Sequence, residues 1–179
     1  MNKEQKQSVI ENIMTRRSIR NFTGQSIIPD DLHTILAAGM SGPSCADVRD
    51  WSFIIVTNKE MLGKMADANG RYADPLRNAA MGILVCGDLQ RAFKGAEDYW
   101  IIDCSIAAQN MILCAHSLGI GSVWLGTWPQ MERVKEQAKL FKLPEHIIPH
   151  SVLAFGYPAE KEQRNVKDFD DSRIHMEQW

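Results

Sequence analysis

The sequence lacks several features that would indicate a membrane-bound, secreted or nucleic-acid-binding protein. No run of about 18 apolar residues is present that could form a spanning helix. The first seven residues, MNKEQKQ, contain no apolar stretch of the signal-peptide type. The net charge is −2, with 20 basic and 22 acidic side chains, which argues against a general nucleic-acid binder. We therefore expect a cytoplasmic protein that binds neither membranes nor nucleic acid.

Metal ligation has equally little support. The four cysteines form no C-x-x-C pair, and the five histidines show no metal-ligand spacing. Three cysteines lie in apolar surroundings, where a free thiol behaves as a small hydrophobic group. The fourth, Cys45, lies in a loop rich in Gly, Pro and Ser. We predict no metal site.

The length and the apolar periodicity indicate one compact domain. A chain of 179 residues with 45% apolar and 23% charged residues is ordinary for a globular domain. Periodicity and capping signals predict helices over residues 3–14, 29–40, 98–118 and 132–140, and another that begins with a Thr57-x-x-Glu60 capping box and ends near residue 68. Apolar and β-branched runs predict strands over 51–56, 81–86, 120–126 and 151–157, with 69–78 as a loop. This order predicts a small sheet flanked by helices.

A basic cluster follows the first predicted helix, in the run RRSIRNF at residues 16–22. Three guanidiniums and a hydroxyl fall within five residues. The planar fork of arginine matches phosphate oxygens two at a time, so the cluster predicts a docking site for a phosphorylated ligand. The alternative is a solvated basic turn, whose surface ion pairs contribute only about 0–1 kcal/mol each.

Four segments together resemble the nitroreductase family of FMN-dependent oxidoreductases. The run at 16–22 matches the family pattern R-R-S-x-R-x-F, and residues 43–51 resemble its P-S-x-x-N-x-Q-P-W loop. The segment GIGSVWLG follows the long central helix at residues 119–126. The fourth segment is FGYP at residues 155–158, followed by a tail that ends in Trp179. The resemblance covers nearly the whole chain.

The resemblance implies an α+β fold whose small, mostly antiparallel sheet is flanked by helices. In this family the long central helix lies at a homodimer interface, and the C-terminal arm crosses to the partner subunit, where it adds an edge strand. We accordingly predict an FMN-binding domain over residues 1–158 and an exchanged arm over residues 159–179. The FMN sites of such a dimer lie between the subunits.

The resemblance also implies which residues contact FMN. Residues near the N-terminus and in the tail are expected to bind the phosphate and ribityl chain. A loop of the partner subunit is expected to contact the ring, and the backbone after the central helix is expected to lie near flavin N5. The residues, in chain order, are Arg16, Arg17, Ser18, Arg20, Pro43, Ser44, Cys45, Asp47, Leu125, Gly126 and Arg164. Lys161 and Lys167 are alternatives to Arg164. No side chain is expected to be catalytic, because the flavin carries the chemistry.

The loop departs from the family pattern at three positions. Asp47 stands where the family usually has Asn, Arg49 where it often has Gln, and Asp50 where it often has Pro. An ionised Asp only accepts hydrogen bonds, whereas an Asn amide also donates. Asp47 would therefore have to meet a donor such as flavin N3–H, or be protonated. Its alternative role is to cap a turn.

The implied reaction passes hydride from NADH or NADPH through flavin N5 to a nitroaromatic, a quinone or another small acceptor, with ping-pong kinetics. Two alternatives keep the flavin: different chemistry on the same fold, such as dehalogenation or enoate-like reduction, and a flavin-binding carrier or sensor without turnover. A nucleic-acid contact for the basic cluster is disfavoured by the net charge of −2.

Overall fold

The computed structural model describes residues 2–160 and 169–179. Within them, six α-helices and four β-strands form an α+β fold. The helices are α1 (Lys3–Thr15), α2 (Pro29–Met40), α3 (Lys59–Asn69), α4 (Pro75–Asn78), α5 (Tyr99–Ser117) and α6 (Met131–Phe141). The strands are β1 (Trp51–Val56), β2 (Met81–Asp88), β3 (Gly121–Gly126) and β4 (Ile147–Gly156). None of the helices in this described part of the chain is long and apolar enough to cross a membrane.

The four strands form one sheet in the order β1-β2-β4-β3, and every neighbouring pair is antiparallel. This confirms the predicted small antiparallel sheet with flanking helices. Strands β2 and β4 lie in the centre, and nearly all of their residues are buried. The continuous apolar run of β2 follows from this position, because a strand covered on both faces needs apolar side chains at every position.

Alternate residues of the central strands face two separate hydrophobic clusters. On one face, Ile83 and Val85 pack with residues of α2 and α5 such as Ile35 and Met111. On the other face, Leu84 packs in a cluster built by α3 and the end of β3. The period of two along a strand thus places successive side chains in different cores. The sheet is therefore the middle layer between two layers of helices.

The long helix α5 packs on the sheet with one side only. Ala107 and Met111 are buried there, whereas Tyr99 and Ile102 on the outer side are each about half exposed, at 49% and 50%. The helix ends before Gly119, whose φ of +73° matches its expected position just past the C-terminus. An apolar face is therefore left uncovered on the central helix of the single chain.

Three details of the predicted secondary structure were wrong. The cap of α3 is Asn58, whose side chain accepts from Met61 N–H, so the expected Thr57 capping box does not form. The stretch 69–78, predicted as a loop, contains a 3₁₀ turn and the short helix α4, which begins at a proline. Strand β4 begins four residues earlier than expected, at Ile147, because Pro149 lies within a strand whose pairing with β2 has a bulge nearby.

The segment that contains the basic cluster packs directly on the sheet. Ile19 N–H donates to the Ser122 carbonyl at 2.8 Å, and Phe22 forms a bridge with Pro158. Two glycines make this approach possible. A Cβ added to Gly121 would lie 2.8 Å from Ile19 Cβ, and one added to Gly156 would lie 2.9 Å from the Phe22 ring. Residues 18–22 are therefore held at a fixed position beside β3 and β4.

Replacing Gly121 with alanine should destabilise the fold. The new methyl group would overlap the β-branched side chain of Ile19, which has no flexible end to move away. We expect a loss of roughly 1–3 kcal/mol in the free energy of unfolding, measured by urea denaturation. Gly63→Ala is the matched control, because its Cβ meets only the Arg77 guanidinium at 3.6 Å and alanine favours a helix. Equal stability of Gly121→Ala and the unaltered protein would contradict this packing.

Candidate functional site

A pocket of about 450 Å³ lies at the end of strand β3. Its lining combines an apolar floor with charged side chains at the sides: Arg20, Asn69, Arg71, Tyr72, Asp74, Pro75, Val123, Trp124, Leu125, Gly126 and Arg133. The sequence assigned Arg20, Leu125 and Gly126 to a flavin. All three line this pocket, although Arg20 is distant in the chain from the other two. A concave, partly apolar site with a few charged groups is the usual form of a small-molecule site.

The other members of the basic cluster lie at the junction between α1 and the sheet. Arg16 is the residue at which α1 ends, and Ser18 forms a parallel bridge with Ser122 of β3. The Nη2 atom of Arg17 is buried and has no hydrogen-bond partner among the described residues. A buried charged donor without a partner is costly, so this guanidinium is suited to an anionic group that binds beside it.

A buried polar network positions the backbone around Gly126. Asn69 Nδ2 donates to the Gly126 carbonyl at 3.4 Å, and Thr127 Oγ1 donates to Asn69 Oδ1 at 2.7 Å. Gln137, also fully buried, donates to the Met65 carbonyl at 2.9 Å. The network ties α3, the end of β3 and α6 together. It fixes the edge of the pocket at Gly126, where a Cβ would meet no atom within 4 Å.

Sequence reasoning assigned no role to most of the other lining residues, among them Asn69 and Arg133. Asn69 was placed in a loop, whereas it is the last residue of α3 and is buried. Arg133 lies in the first turn of α6 and donates from Nη1 to the Gly126 carbonyl at 2.8 Å. A cation in the first turn opposes the helix dipole, and this local signal could have marked Arg133 in the sequence.

The loop at residues 43–47 does not line this pocket. Pro43, Ser44, Cys45 and Asp47 belong to a segment beside α5, where Cys45 N–H donates to the buried Asp103 carboxylate at 2.9 Å. The Asp47 carboxylate pairs with Arg49 Nε at 2.8 Å on the surface of the chain. This contact joins two side chains and caps no backbone N–H, and a flavin contact through these four residues stays a prediction.

The backbone of this loop is held in an uncommon conformation. Ala46, Asp47 and Arg49 have φ values of +47°, +55° and +51°. Residues with a Cβ adopt this left-handed region at a cost of about 1–3 kcal/mol each, and such strain is concentrated at binding sites. The Ser44 hydroxyl accepts from Arg49 N–H at 3.0 Å and helps to hold the turn. Arg164, with its alternatives Lys161 and Lys167, lies outside the described residues.

Asp50 is the one departure from the family loop whose side chain turns into the core. Its side chain is fully buried, and neither carboxylate oxygen has a hydrogen-bond partner among the described residues. Burial, together with the nearby carboxylate of Asp103, raises the pKa of Asp50 from 3.8 to about 6. Asp50 therefore packs against α5 instead of facing a ligand. It joins the loop to the helix through a pair of buried acids.

The histidines are not organised as ligands in the described part of the chain. Residues 2–160 and 169–179 contain no group of three His, Cys, Asp or Glu side chains that could hold a metal ion. His150 is buried, lies within hydrogen-bond distance of Ser105 and Ser151, and is surrounded by the Trp100 and Trp124 rings. Burial lowers the pKa of His150 to about 4, so its ring is neutral at pH 7.

Comparison with known proteins identifies clear relatives. The family model described as "Nitroreductase family" matches residues 13–71 and 67–157. A protein of Methanothermobacter thermautotrophicus named "Putative NADH dehydrogenase/NAD(P)H nitroreductase" is 44% identical over 178 residues, which cover 99% of this chain and 91% of that protein.

Solved structures show the same fold. A crystal structure from Bacteroides thetaiotaomicron with the same name as the archaeal relative has a TM-score of 0.88 and 41% identity, and the match covers 96% of this chain and 98% of that one. An FMN-dependent nitroreductase from Clostridium difficile has a TM-score of 0.87 and 29% identity, with 95% and 99% of the two chains covered. The similarity therefore extends over the whole fold.

The buried acid gives a prediction for stability against pH. Because folding raises the pKa of Asp50, the native state binds this proton more tightly than the unfolded state, and stability falls as the pH rises from about 4 to about 6. Asp50→Asn removes this titration. We expect the free energy of unfolding of Asp50→Asn to exceed that of the unaltered protein by roughly 1–3 kcal/mol at about pH 8. At about pH 4 we expect a smaller difference.

Urea unfolding at the two pH values measures this difference. Glu136→Gln on α6 controls for the loss of one negative charge, since this carboxylate is exposed. A stability gain for Asp50→Asn that is the same at both pH values would mean that the ionised form of Asp50 is not its source.

Proposed function

Because the chain belongs to the nitroreductase family, we propose that it is an FMN-dependent oxidoreductase that uses NADH or NADPH. The names of two similar proteins support this, since one contains NAD(P)H nitroreductase and the other FMN-dependent nitroreductase. The observation that carries the proposal is the buried Nη2 atom of Arg17, which has no partner among the described residues and lies in the basic cluster beside β3.

The residues at this position fit a flavin mononucleotide. A dianionic phosphate requires several charge-assisted donors, and Arg16, Arg17 and Ser18 supply two guanidiniums and a hydroxyl. Arg20 lies further along the same segment and lines the pocket at the end of β3 together with Leu125 and Gly126. We assign the phosphate and ribityl chain to the first three residues, and the ring to the pocket.

When bound, FMN supplies the redox chemistry: hydride passes from NAD(P)H to flavin N5 and then to a nitroaromatic, quinone or other small acceptor, which predicts ping-pong kinetics. The chain's own residues position and polarise this site. The Arg20 guanidinium places a positive charge in the pocket, where it would stabilise negative charge on a reduced ring. The apolar Val123 and Leu125 exclude water, and Gly126 leaves room for a ring beside the backbone.

We further propose that the active form is a homodimer. The outer side of α5 carries Ile101, Ile102 and Ile106, and Ile102 is 50% exposed in the single chain. Helix α1 adds a row of exposed apolar side chains, Val9, Ile10, Ile13 and Met14. A second copy that covers both helices would remove this apolar surface from water. It would also bring a second loop at residues 43–47 into the assembly.

The exchanged arm of residues 159–179 belongs to the same proposal. Strand β1 is at the edge of the sheet, and within the described residues only β2 pairs with it. The end of the arm carries the largely exposed apolar side chains of Phe169, Met176 and Trp179. An arm from the partner subunit that lies along β1 would complete the sheet and cover these side chains.

The first experiment is the visible spectrum of the purified protein, before and after addition of NADH or NADPH without oxygen. Flavin bands that bleach are expected. Bands that persist with both donors would favour a carrier or sensor without turnover, and a protein that stays colourless with added FMN would contradict the proposal.

The phosphate assignment is tested by replacing Arg16 and Arg17 with alanine. Each charge-assisted hydrogen bond contributes about 1.5–3 kcal/mol, so the double variant should weaken FMN binding by a factor of about 100 or more. Flavin fluorescence titration measures the dissociation constant, and circular dichroism checks the fold. Lys139→Ala, an exposed lysine on α6, is the control. Unchanged FMN affinity in the double variant would show that the phosphate binds elsewhere.

The dimer is tested by Ile102→Glu. A carboxylate at this exposed position of α5 costs little in a monomer, but it would be buried in the proposed interface. We expect light scattering to give a monomer that has lost most of its FMN. Lys135→Glu on α6, an exposed charge change outside the interface, should remain a dimer. A dimeric Ile102→Glu protein with full FMN content would place the interface on another surface.

A further inference from the structure

Three guanidiniums point into the pocket at the end of β3, and only one of them belongs to the predicted flavin motif. Arg20, Arg71 and Arg133 line the same pocket. Within residues 2–160 and 169–179, no carboxylate forms an ion pair with any of the three. The one acid in the lining, Asp74, is paired with Arg77 at 3.2 Å. The pocket therefore carries an uncompensated positive charge.

Arg133 is held in place by the backbone that forms the pocket edge. Its Nη1 atom donates to the Gly126 carbonyl at 2.8 Å, and it lies in the first turn of α6, where a cation opposes the helix dipole. A Cβ added to Gly70 would lie 3.7 Å from Arg133 Nε, which shows that the Arg133 side chain passes beside the residue preceding Arg71. Arg133 therefore passes beside the turn that carries Arg71, although the two arginines come from different elements.

Arg71 lies at the mouth of the pocket. It is part of the 3₁₀ turn Arg71–Ala73, and its guanidinium stacks over the exposed Tyr72 ring, with Cζ 4.6 Å from the ring centroid. It also donates to the Tyr72 hydroxyl. Stacking on an aromatic ring restricts a guanidinium to one orientation while leaving hydrogen-bond donors free. The lining also contains the apolar side chains of Pro75, Val123 and Leu125.

We propose that Arg71 and Arg133 form an oxyanion subsite beside the flavin position, so that the preferred substrate is an aromatic compound that carries a carboxylate or phosphate. This inference rests on the proposed function, because it assigns Arg20 to the flavin and the other two arginines to the substrate. The apolar residues of the lining suit a flat aromatic ring, and the two guanidiniums suit the anionic group that the ring carries. The oxyanion comes from one of two sources, an acid group on the acceptor or the additional phosphate of NADPH.

The test compares pairs of substrates with and without one anionic group, with the flavin-loaded full-length protein. Acceptor arms use 4-nitrobenzoate against 4-nitrobenzamide, and donor arms use NADPH against NADH, which lacks the additional phosphate. For Arg71→Gln and Arg133→Gln, we expect kcat/KM for the member of one pair that carries the group to fall about 10-fold or more, while kcat/KM for the member without it changes less than about threefold. Loss confined to the acceptor pair or to the donor pair identifies the source of the oxyanion.

Two further measurements separate this subsite from flavin binding. Calorimetric titration with benzoate and benzamide, neither of which is reduced, should show tighter benzoate binding that both variants lose. The FMN content per chain should stay unchanged in both variants. Lys135→Gln removes an exposed charge two residues from Arg133 on the same helix, and it should alter none of these values. Arg133→Lys should retain part of the anion preference, since it keeps the charge and loses the planar fork.

The subsite would be overturned if kcat/KM fell equally for substrates with and without the anionic group, or if Arg71→Gln and Arg133→Gln lost FMN. Either result would leave the proposed function standing. Failure of the unaltered protein to bind FMN or to be reduced by either nicotinamide would overturn the proposed function, and with it this inference.

Discussion

The close packing of residues 18–22 against the sheet is the contact on which the candidate site depends. Ile19 and Phe22 approach β3 and β4 at distances that only Gly121 and Gly156 permit, because any Cβ there would lie within 3 Å of them. The backbone of this segment is hydrogen-bonded to Ser122 of β3 and near the end of β4. Arg17 and Arg20 are therefore positioned by the sheet itself, whose central strands are buried on both faces.

Positive charge is distributed around this contact, and no carboxylate of residues 2–160 or 169–179 forms an ion pair with it. Arg17 buries one nitrogen without a partner among the described residues, Arg20 and Arg133 face the pocket, and Arg71 stands at its mouth. The acids of the chain are arranged differently, since Asp50 and Asp103 are buried beneath the loop at residues 43–47. A protein with a net charge of −2 thus maintains a local positive site for anionic ligands.

Two surfaces of the single chain are left uncovered by the residues that the structure describes. One is the outer face of α5 with the adjacent apolar row of α1, and the other is the free edge of β1. Both follow from the architecture, since a four-stranded open sheet has an edge, and a helix that packs on one side exposes the other. The strained loop at 43–47 lies beside α5 and does not line the pocket. A second copy would explain why a loop outside the pocket has the strained backbone of a binding site.

The sequence by itself determined most of the secondary structure, because its signals are local. Apolar periodicity marks the elements, Pro29 begins α2, and Gly119 follows the end of α5. It also determined the family, because four short motifs in order are rarely shared by chance. Boundaries failed at Thr57 and Ile147, where a neighbouring cap and a bulged strand pairing outweighed the local pattern.

Only the tertiary structure decided which side chains meet. Asn69 and Gly126 are 57 positions apart and are joined by a hydrogen bond, so no local pattern could assign both to one pocket. The direction of Asp50 was equally hidden, since a carboxylate in a polar loop is expected to face water, and here it is enclosed beside Asp103 on α5. Arg133 joined the site for the same physical reason: the packing of α6 against α3 and the sheet brings its guanidinium to the end of β3.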